Sequence, residues 1–212
     1  MPTRVVTISH TTGAGGETIG RTVADRLGFR YIDEEIITLA AEKEGVDPEL
    51  VADTERRKGF LSRLFSGLTE GPVDVGVPGS GVLVPETGPA PRSEHLRLVI
   101  VEAIHDMARR GQVVIGSHAA SIPLAGRGDV LRALVTASFD ARVERVARDG
   151  RRGTSNSARV VRDNDAGRAA YFQRFYGIEN ELPTHYDLVI NTDAWTADEA
   201  ADIIVAAARR RA

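Results

Sequence analysis

"RVVTISHTTGAGGETIGRTVADRL", residues 4–27, carries a β-branched run, a glycine turn and a helical period in immediate succession. Val5, Val6, Thr7 and Ile8 suit the pleated surface of a strand. Gly13, Gly15 and Gly16 end that run, and a helix is expected from about Thr18 to Leu27 with Gly28 as its C-terminal stop. A turn of this kind leaves backbone N–H groups unpaired at a helix N-terminus, and that end of a helix attracts anions.

Three readings of the turn compete. A dinucleotide fingerprint, G-x-G-x-x-G counted from Gly13, puts Thr18 where the third glycine belongs, although Asp33 stands about the right ~20 residues downstream. A structural turn would tighten a strand–helix corner and do nothing more. A phosphate loop suits the stretch best, with Gly13, Ala14, Gly15, Gly16, Glu17 and Thr18 around the anion. Against G-x-x-x-x-G-K-[ST], however, His10 stands at the first glycine, Gly15 at the second, Gly16 at the lysine and Glu17 at the hydroxyl residue. The turn has the glycines of a phosphate loop without its cation.

Strands and helices go on alternating outward from it. "FRYI" (29–32) leads to Asp33, which suits the cap of a helix over 34–45, and Asp47-Pro48 opens another with a cap and a first-position proline. Residues 67–92 hold most of the prolines and read as a loop excursion, after which Ser93 is expected to cap a long helix over 94–111. "QVVIGS" (112–117) and "DVLRALVTA" (129–137) read as buried strands, with Asp140 as cap of the helix over 141–150. "YDLVINT" (186–192) is the last strand, before a helix from about Thr196 to Arg210. Such alternation builds a parallel sheet flanked by helices on both faces. In "RRKGFLSRLFSGL" (56–68), Phe60, Leu61, Leu64, Phe65 and Leu68 fall on one helical stripe, which suits core packing or a homodimer mate better than a membrane surface.

Bulk properties narrow the function. The 212 residues suit one domain, and a net charge of −3 argues against a nucleic-acid partner. Without cysteine there is neither a thiolate metal site nor a cysteine nucleophile, and the five histidines lack ligand spacing, so no zinc is expected. Met1 leads almost directly into the first strand and no apolar run reaches membrane-spanning length, so a cytoplasmic protein without a membrane partner is expected. Lys43 and Lys58 are the only lysines among 27 basic residues. Any cation that handles phosphate is therefore expected to be arginine, with its planar fork of donors.

The segments "TISHTTGAGGETIGRTVADRLGFRYIDEEII", "VVIGSHAA", and "RVVRDNDAGRAAYFQRFYG" with "YDLVINT" resemble the cytidylate kinase-like family, a branch of the P-loop nucleoside monophosphate kinases. The resemblance covers most of the chain outside 55–92. It implies a P-loop NTPase-type α/β domain with a monophosphate-site insert over about 33–95 and a lid over about 149–168. It implies ATP as donor, Mg²⁺ as helper and nucleotide substrates, with CMP the expected acceptor. That family's loop also tends to read Gly-Ser-Gly-Gly without a following lysine, which makes Gly16 a family trait. Residue by residue, Gly13, Gly15, Gly16 and Thr18 match the phosphate loop, Asp33 the acid at the mouth of the monophosphate site, and Arg162, Asp163 and Arg168 the lid. Two substrate-side positions depart from the pattern: His10 where arginine is usual, and Ser117, in Gly116-Ser117-His118, where a Gly-Arg-Gly-like turn is usual. Each departure removes a guanidinium from near the expected phosphates.

Phosphoryl transfer asks for positioning and for cations on the transferring group. Nine arginines and four acids lie between Arg142 and Arg174. In "RDNDAGR" (162–168) Arg162 and Arg168 flank acids that can orient them, and "GTSNS" (153–157) reads as a hinge. A lid that closes these arginines over the phosphates is expected to replace the lysine. Thr18 would supply a metal-side hydroxyl, Glu17 is expected to face outward, and His10 and His118 are expected as partial cations near neutral pH. Asp33 stands open between helix cap and acid of the site. Two rivals accompany the kinase: a nucleotide-binding module without catalysis, and a kinase of a small hydroxyl metabolite, because "GFRYIDEE" (28–35) also resembles the acid-bearing segment of shikimate-type kinases.

Overall fold

The computed structural model describes residues 2–33, 89–116, 119–150 and 154–210. Among them one parallel sheet is formed by β1 (Val5–His10), β2 (Arg30–Ile32), β3 (Val113–Gly116), β4 (Val130–Thr136) and β5 (Leu188–Asn191), in the order β2-β3-β1-β4-β5. β1 is central: Val5 pairs with Val113 of β3 on one side and with Val130 of β4 on the other. The chain runs from β1 to β2 and β3 on one side and then crosses from β3 to β4 and β5 on the other, so the C-terminal end of β1 lies at the switch point where open α/β sheets bind their ligands.

The helices are α1 (Gly16–Leu27), α2 (Pro89–Arg110), α3 (Phe139–Gly150), α4 (Thr154–Tyr176) and α5 (Ala197–Arg210). The period of two along each strand sends alternate side chains to opposite faces. Val6, Ile8, Leu131 and Ala133 pack with Ile19 and Val23 of α1 and Ile204 of α5, whereas Val5, Val113, Ile115 and Val130 pack with Ile100, Ile104 and Met107 of α2. Burial of a side chain such as Ile19 or Ile104 contributes about 1.5–3 kcal/mol, so both faces of β1 are tied down. Two covered faces are also why "RVVTIS" is nearly all apolar rather than alternating.

Helix starts differ from the sequence reading in three places. α2 begins at Pro89, so Ser93 lies within the helix instead of capping it. Prolines are tolerated in a first turn because the N–H groups there have no intrahelical acceptor. At α3 the cap is Ser138, whose Oγ accepts the Ala141 N–H at 3.4 Å, and Asp140 sits inside the first turn. α4 begins at Thr154 and buries Ser157 completely, so most of "GTSNS" is helix and not hinge. At α5 the expected start holds: the Thr196 N–H donates to Glu199 Oε2 at 2.9 Å and the Glu199 N–H to Thr196 Oγ1 at 3.3 Å, a capping box. The elements expected over 34–45 and from Asp47, the stripe at 56–68, the excursion up to 88, and Ser117 and His118 lie outside the described residues. No helix of the described residues is long and apolar enough to cross a membrane.

Candidate active site

β1 ends at His10, and after five intervening residues α1 begins at Gly16. The Ala14 N–H donates to the Thr11 carbonyl at 3.0 Å, and Gly13 and Gly15 take φ of 83° and 81°, where a side chain is strained. The first bond into the helix runs from the Ile19 N–H to the Gly15 carbonyl at 3.1 Å. The N–H groups of Gly16, Glu17 and Thr18 therefore stand at the open, positive end of α1. Gly16 answers a different need. A Cβ there would lie 2.3 Å from both Cβ and Cγ of His10, so the imidazole fills the space beside the position where a P-loop lysine would sit.

α3 splints this turn from behind. A Cβ on Gly13 would lie 2.7 Å from the backbone carbonyl of Arg142, so helix and loop are in direct backbone contact. Arg142 Nη1 donates to the Thr12 carbonyl at 3.3 Å, and Nη1 and Nη2 donate to Oδ1 and Oδ2 of Asp165 on α4 at 2.8 Å each. One helical turn on, Arg145 Nη1 donates to the Gly13 carbonyl at 3.3 Å and to Thr192 Oγ1 at 2.8 Å. The Thr192 hydroxyl lies 3.1 Å from the Ala14 carbonyl. Carbonyls 12, 13 and 14 are thus held toward the protein. In a trans peptide the following N–H points the other way, so those of Gly13 and Gly15 turn away from α3.

Arg168 on α4 is anchored by side chains from outside its helix. Its Nε donates to Glu181 Oε2 at 2.7 Å, and its Nη2 to Glu181 Oε1 and to Ser9 Oγ at 2.6 Å each. The Phe172 ring lies 4.8 Å from the guanidinium carbon. The Tyr186 hydroxyl donates to Glu181 and lies 3.2 Å from Ser9 Oγ. Burial, with the Glu181 charge beside it, holds the Tyr186 phenol up at about 12. Burial acts to raise the Glu181 carboxyl as well, but the hydrogen bonds and charge of Arg168 outweigh it and keep the group below its ordinary range. His10 is pushed below its ordinary value of 6.5 by burial first and then by the Arg168 charge. Burial therefore favours its neutral form, against the expectation of a partial cation.

The remaining candidates are dispersed. Arg162 and Asp163 are exposed on α4, with the Arg162 guanidinium 5.0 Å from the Phe139 ring centroid. Glu17 faces solvent and pairs with Arg21 at 2.9 Å, and Thr18 is exposed beside it. Asp33 follows β2 at the same edge of the sheet as the loop and accepts the Tyr31 hydroxyl at 3.1 Å. Burial, then the Asp33 charge, raises the Tyr31 phenol well above its ordinary range. A cavity of about 200 Å³ opens between Thr11, Asp165, Arg168, Phe172 and Glu181. The sequence reading missed Ser9, Arg145, Glu181 and Tyr186. Arg142 and Arg145 stand three apart on one helix and share a face, a usable signal. Glu181 and Tyr186 sit in "ENELPTHYD", which has no period, and only the tertiary fold brings them to β1.

A model of the cytidylate kinase-like family matches residues 5–194. The chain is 23% identical over 212 residues to the cytidylate kinase of Methanopyrus kandleri, covering 96% of this chain and 92% of that one. Among solved structures, an uncharacterized protein from Eubacterium ventriosum superposes with a TM-score of 0.65 at 13% identity, over 96% of this chain and 97% of that chain. Shikimate kinase from Acinetobacter baumannii, in complex with shikimate, superposes with a TM-score of 0.50 at 15% identity, over 96% and 91%. At such identities the solved structures speak for a shared kinase fold alone.

Proposed function

Because this chain belongs to the cytidylate kinase-like family, we propose that it transfers the γ-phosphate of ATP to a pyrimidine nucleoside monophosphate, with CMP as the preferred acceptor. The observation that carries the reading is the turn at the switch point: three consecutive carbonyls are held inward by Arg142, Arg145 and Thr192 while the N-terminus of α1 is left open. Such a turn is a preformed cradle for a polyphosphate, built from backbone and independent of a lysine.

Roles follow from placement. Gly13, Gly15, Gly16, Glu17 and Thr18 hold the polyphosphate through their backbone N–H groups, whereas the Ala14 N–H donates to the Thr11 carbonyl and Ala14 shapes the turn instead. Arg168 supplies a fixed positive charge beside the end of β1, whereas Arg162 and Asp163, exposed on the same helix with Arg162 against Phe139, would reach the phosphates only as parts of a closing lid. His10 and Asp33 bound the acceptor side, His10 as a neutral hydrogen-bonding ring. Among the described residues no three His, Asp or Glu side chains cluster as metal ligands. The Thr18 hydroxyl, exposed at the start of α1, would hold a Mg²⁺ that arrives with the polyphosphate, as this ion commonly does, and the ion would supply neutralising charge for the group in transfer. The protein's own contribution is positioning and fixed dipoles, which cost no reorganisation during reaction.

The test is an ADP-release assay with ATP and Mg²⁺ against CMP, dCMP, UMP, AMP and shikimate. Fastest turnover with CMP is expected. Turnover confined to shikimate or another hydroxyl metabolite would replace the acceptor, and nucleotide binding without turnover on any acceptor would make the chain a binding module.

A further inference from the structure

Arg168 has a carboxylate clamped to it, which is an odd arrangement for a cation meant to attract phosphate. Glu181 takes the Nε and Nη2 edge in a bidentate pair, Ser9 Oγ takes Nη2 a second time, and the Phe172 ring stacks on the plane. Nη1 makes none of these bonds. The side chain that carries it lines the cavity of about 200 Å³ together with Thr11, the first residue of the turn. Ser9 belongs to β1 and immediately precedes His10, so the clamp reaches the strand from which the turn springs. Tyr186, buried beside β5, donates to Glu181 and touches Ser9, closing a ring of contacts around the guanidinium.

We propose that Glu181 is a positioning residue for phosphate binding: with Tyr186 and Ser9 it fixes the Arg168 guanidinium so that its remaining Nη1 edge meets the anion held by the turn. The inference rests on the phosphate-loop reading above and names what makes that loop's cation. A long arginine is a poor substitute for a lysine built into the loop unless its orientation is set beforehand, because each unfixed torsion must be ordered on binding. A planar fork held on one edge keeps its other edge aimed. The lowered pKa of His10, caused by burial and next by Arg168, is consistent with that charge reaching the loop.

Charge and positioning predict opposite signs, which makes the idea testable with inorganic tripolyphosphate. Were Glu181 merely a neutralising charge, Glu181→Gln would bind the anion more tightly. Positioning predicts weaker binding in isothermal titration, by about tenfold, the size expected for a misaligned charge-assisted contact. Arg168→Gln should lose a similar factor, and the double variant Glu181→Gln/Arg168→Gln should bind no more weakly than Arg168→Gln alone. Equal or tighter binding by Glu181→Gln, or additive losses in the double variant, overturns the proposal. If thermal melts show Glu181→Gln unfolded, Tyr186→Phe decides instead, since it removes one hydroxyl and no charge near neutral pH: about threefold weaker binding is expected, and unchanged affinity overturns the proposal. Folded wild type that binds no tripolyphosphate would bring down the phosphate-loop reading itself. Wild type that binds, beside variants that bind equally well, brings down the positioning role alone.

Discussion

Gly16 and His10 form one packing unit, and that unit explains why the loop carries no lysine. Any side chain at Gly16 starts with a Cβ 2.3 Å from His10 Cβ and Cγ, atoms too close to the backbone to swing aside. Gly16→Lys should therefore lose about 1–3 kcal/mol of stability, the usual range for overpacking, and should lose ATP affinity with it. Denaturant melts and titration calorimetry check both, and a lysine variant that binds ATP more tightly would show that the position is merely vacant. His10 makes a second prediction. Its folded pKa lies below 6.5, so between that lowered value and 6.5 the unfolded chain binds more protons than the folded one. Stability is thus fully present above about 6.5 and falls as pH drops through the window. Melts from pH 8 to 5 should show a shallower decline for His10→Gln than for wild type. The residues of the turn were legible because glycine spacing is a local signal; the neutrality of His10 was not, because it depends on burial and on Arg168, distant in sequence.

At the scale of elements, the strands were legible, whereas of the expected helix caps Thr196 held and Ser93 and Asp140 did not. A buried strand announces itself by a β-branched run, and all of the runs singled out in the described residues pair in the sheet. A cap depends on where the chain leaves the helix axis, so Ser93 and Asp140, plausible by type, fall within their helices, and at α3 Ser138 takes the role of Asp140. The clearest gain from the structure is α3. In the sequence its arginines look like a solvated face; in the fold Arg142 is 8% exposed and joins the Thr12 carbonyl to Asp165 of α4. Arg142→Met keeps the stem and removes the fork, leaving Asp165 and the Thr12 carbonyl without this donor. Because Asp165 is partly exposed and water can replace some of the loss, the expected cost is about 1–3 kcal/mol. Nucleotide affinity should fall further than that stability loss implies for a merely weakened fold, since the turn loses its splint. A variant with lowered melting temperature and wild-type ATP affinity would show that α3 supports the core only.

For the whole molecule the decisive feature is that the turn is held by parts far apart in the chain. β1 and α1 form it, α3 and the residues after β5 hold its carbonyls, and α4 brings Arg168 to its base. β1 in turn lies between the two apolar layers, one under α1 and α5 and one under α2. A ligand on such a turn binds a surface that exists only when the entire sheet is formed, so its binding energy appears as stability of the whole domain. At a concentration of about a hundred times Kd, a ligand that binds only the folded state adds about 2.7 kcal/mol. For a domain of this size each kcal/mol raises Tm by about 2–4 °C, so ATP with Mg²⁺ should raise it by about 5–10 °C. Tripolyphosphate should give much of that rise and a nucleoside without phosphate very little, because in the proposed site the backbone amides and Arg168 address the anion. The rise should also shrink as salt increases, to the extent that the anion stays exposed to screening. A shift produced by nucleoside and not by tripolyphosphate would mean that the fold recognises a base first, and that the glycine turn at the end of β1 is only a corner.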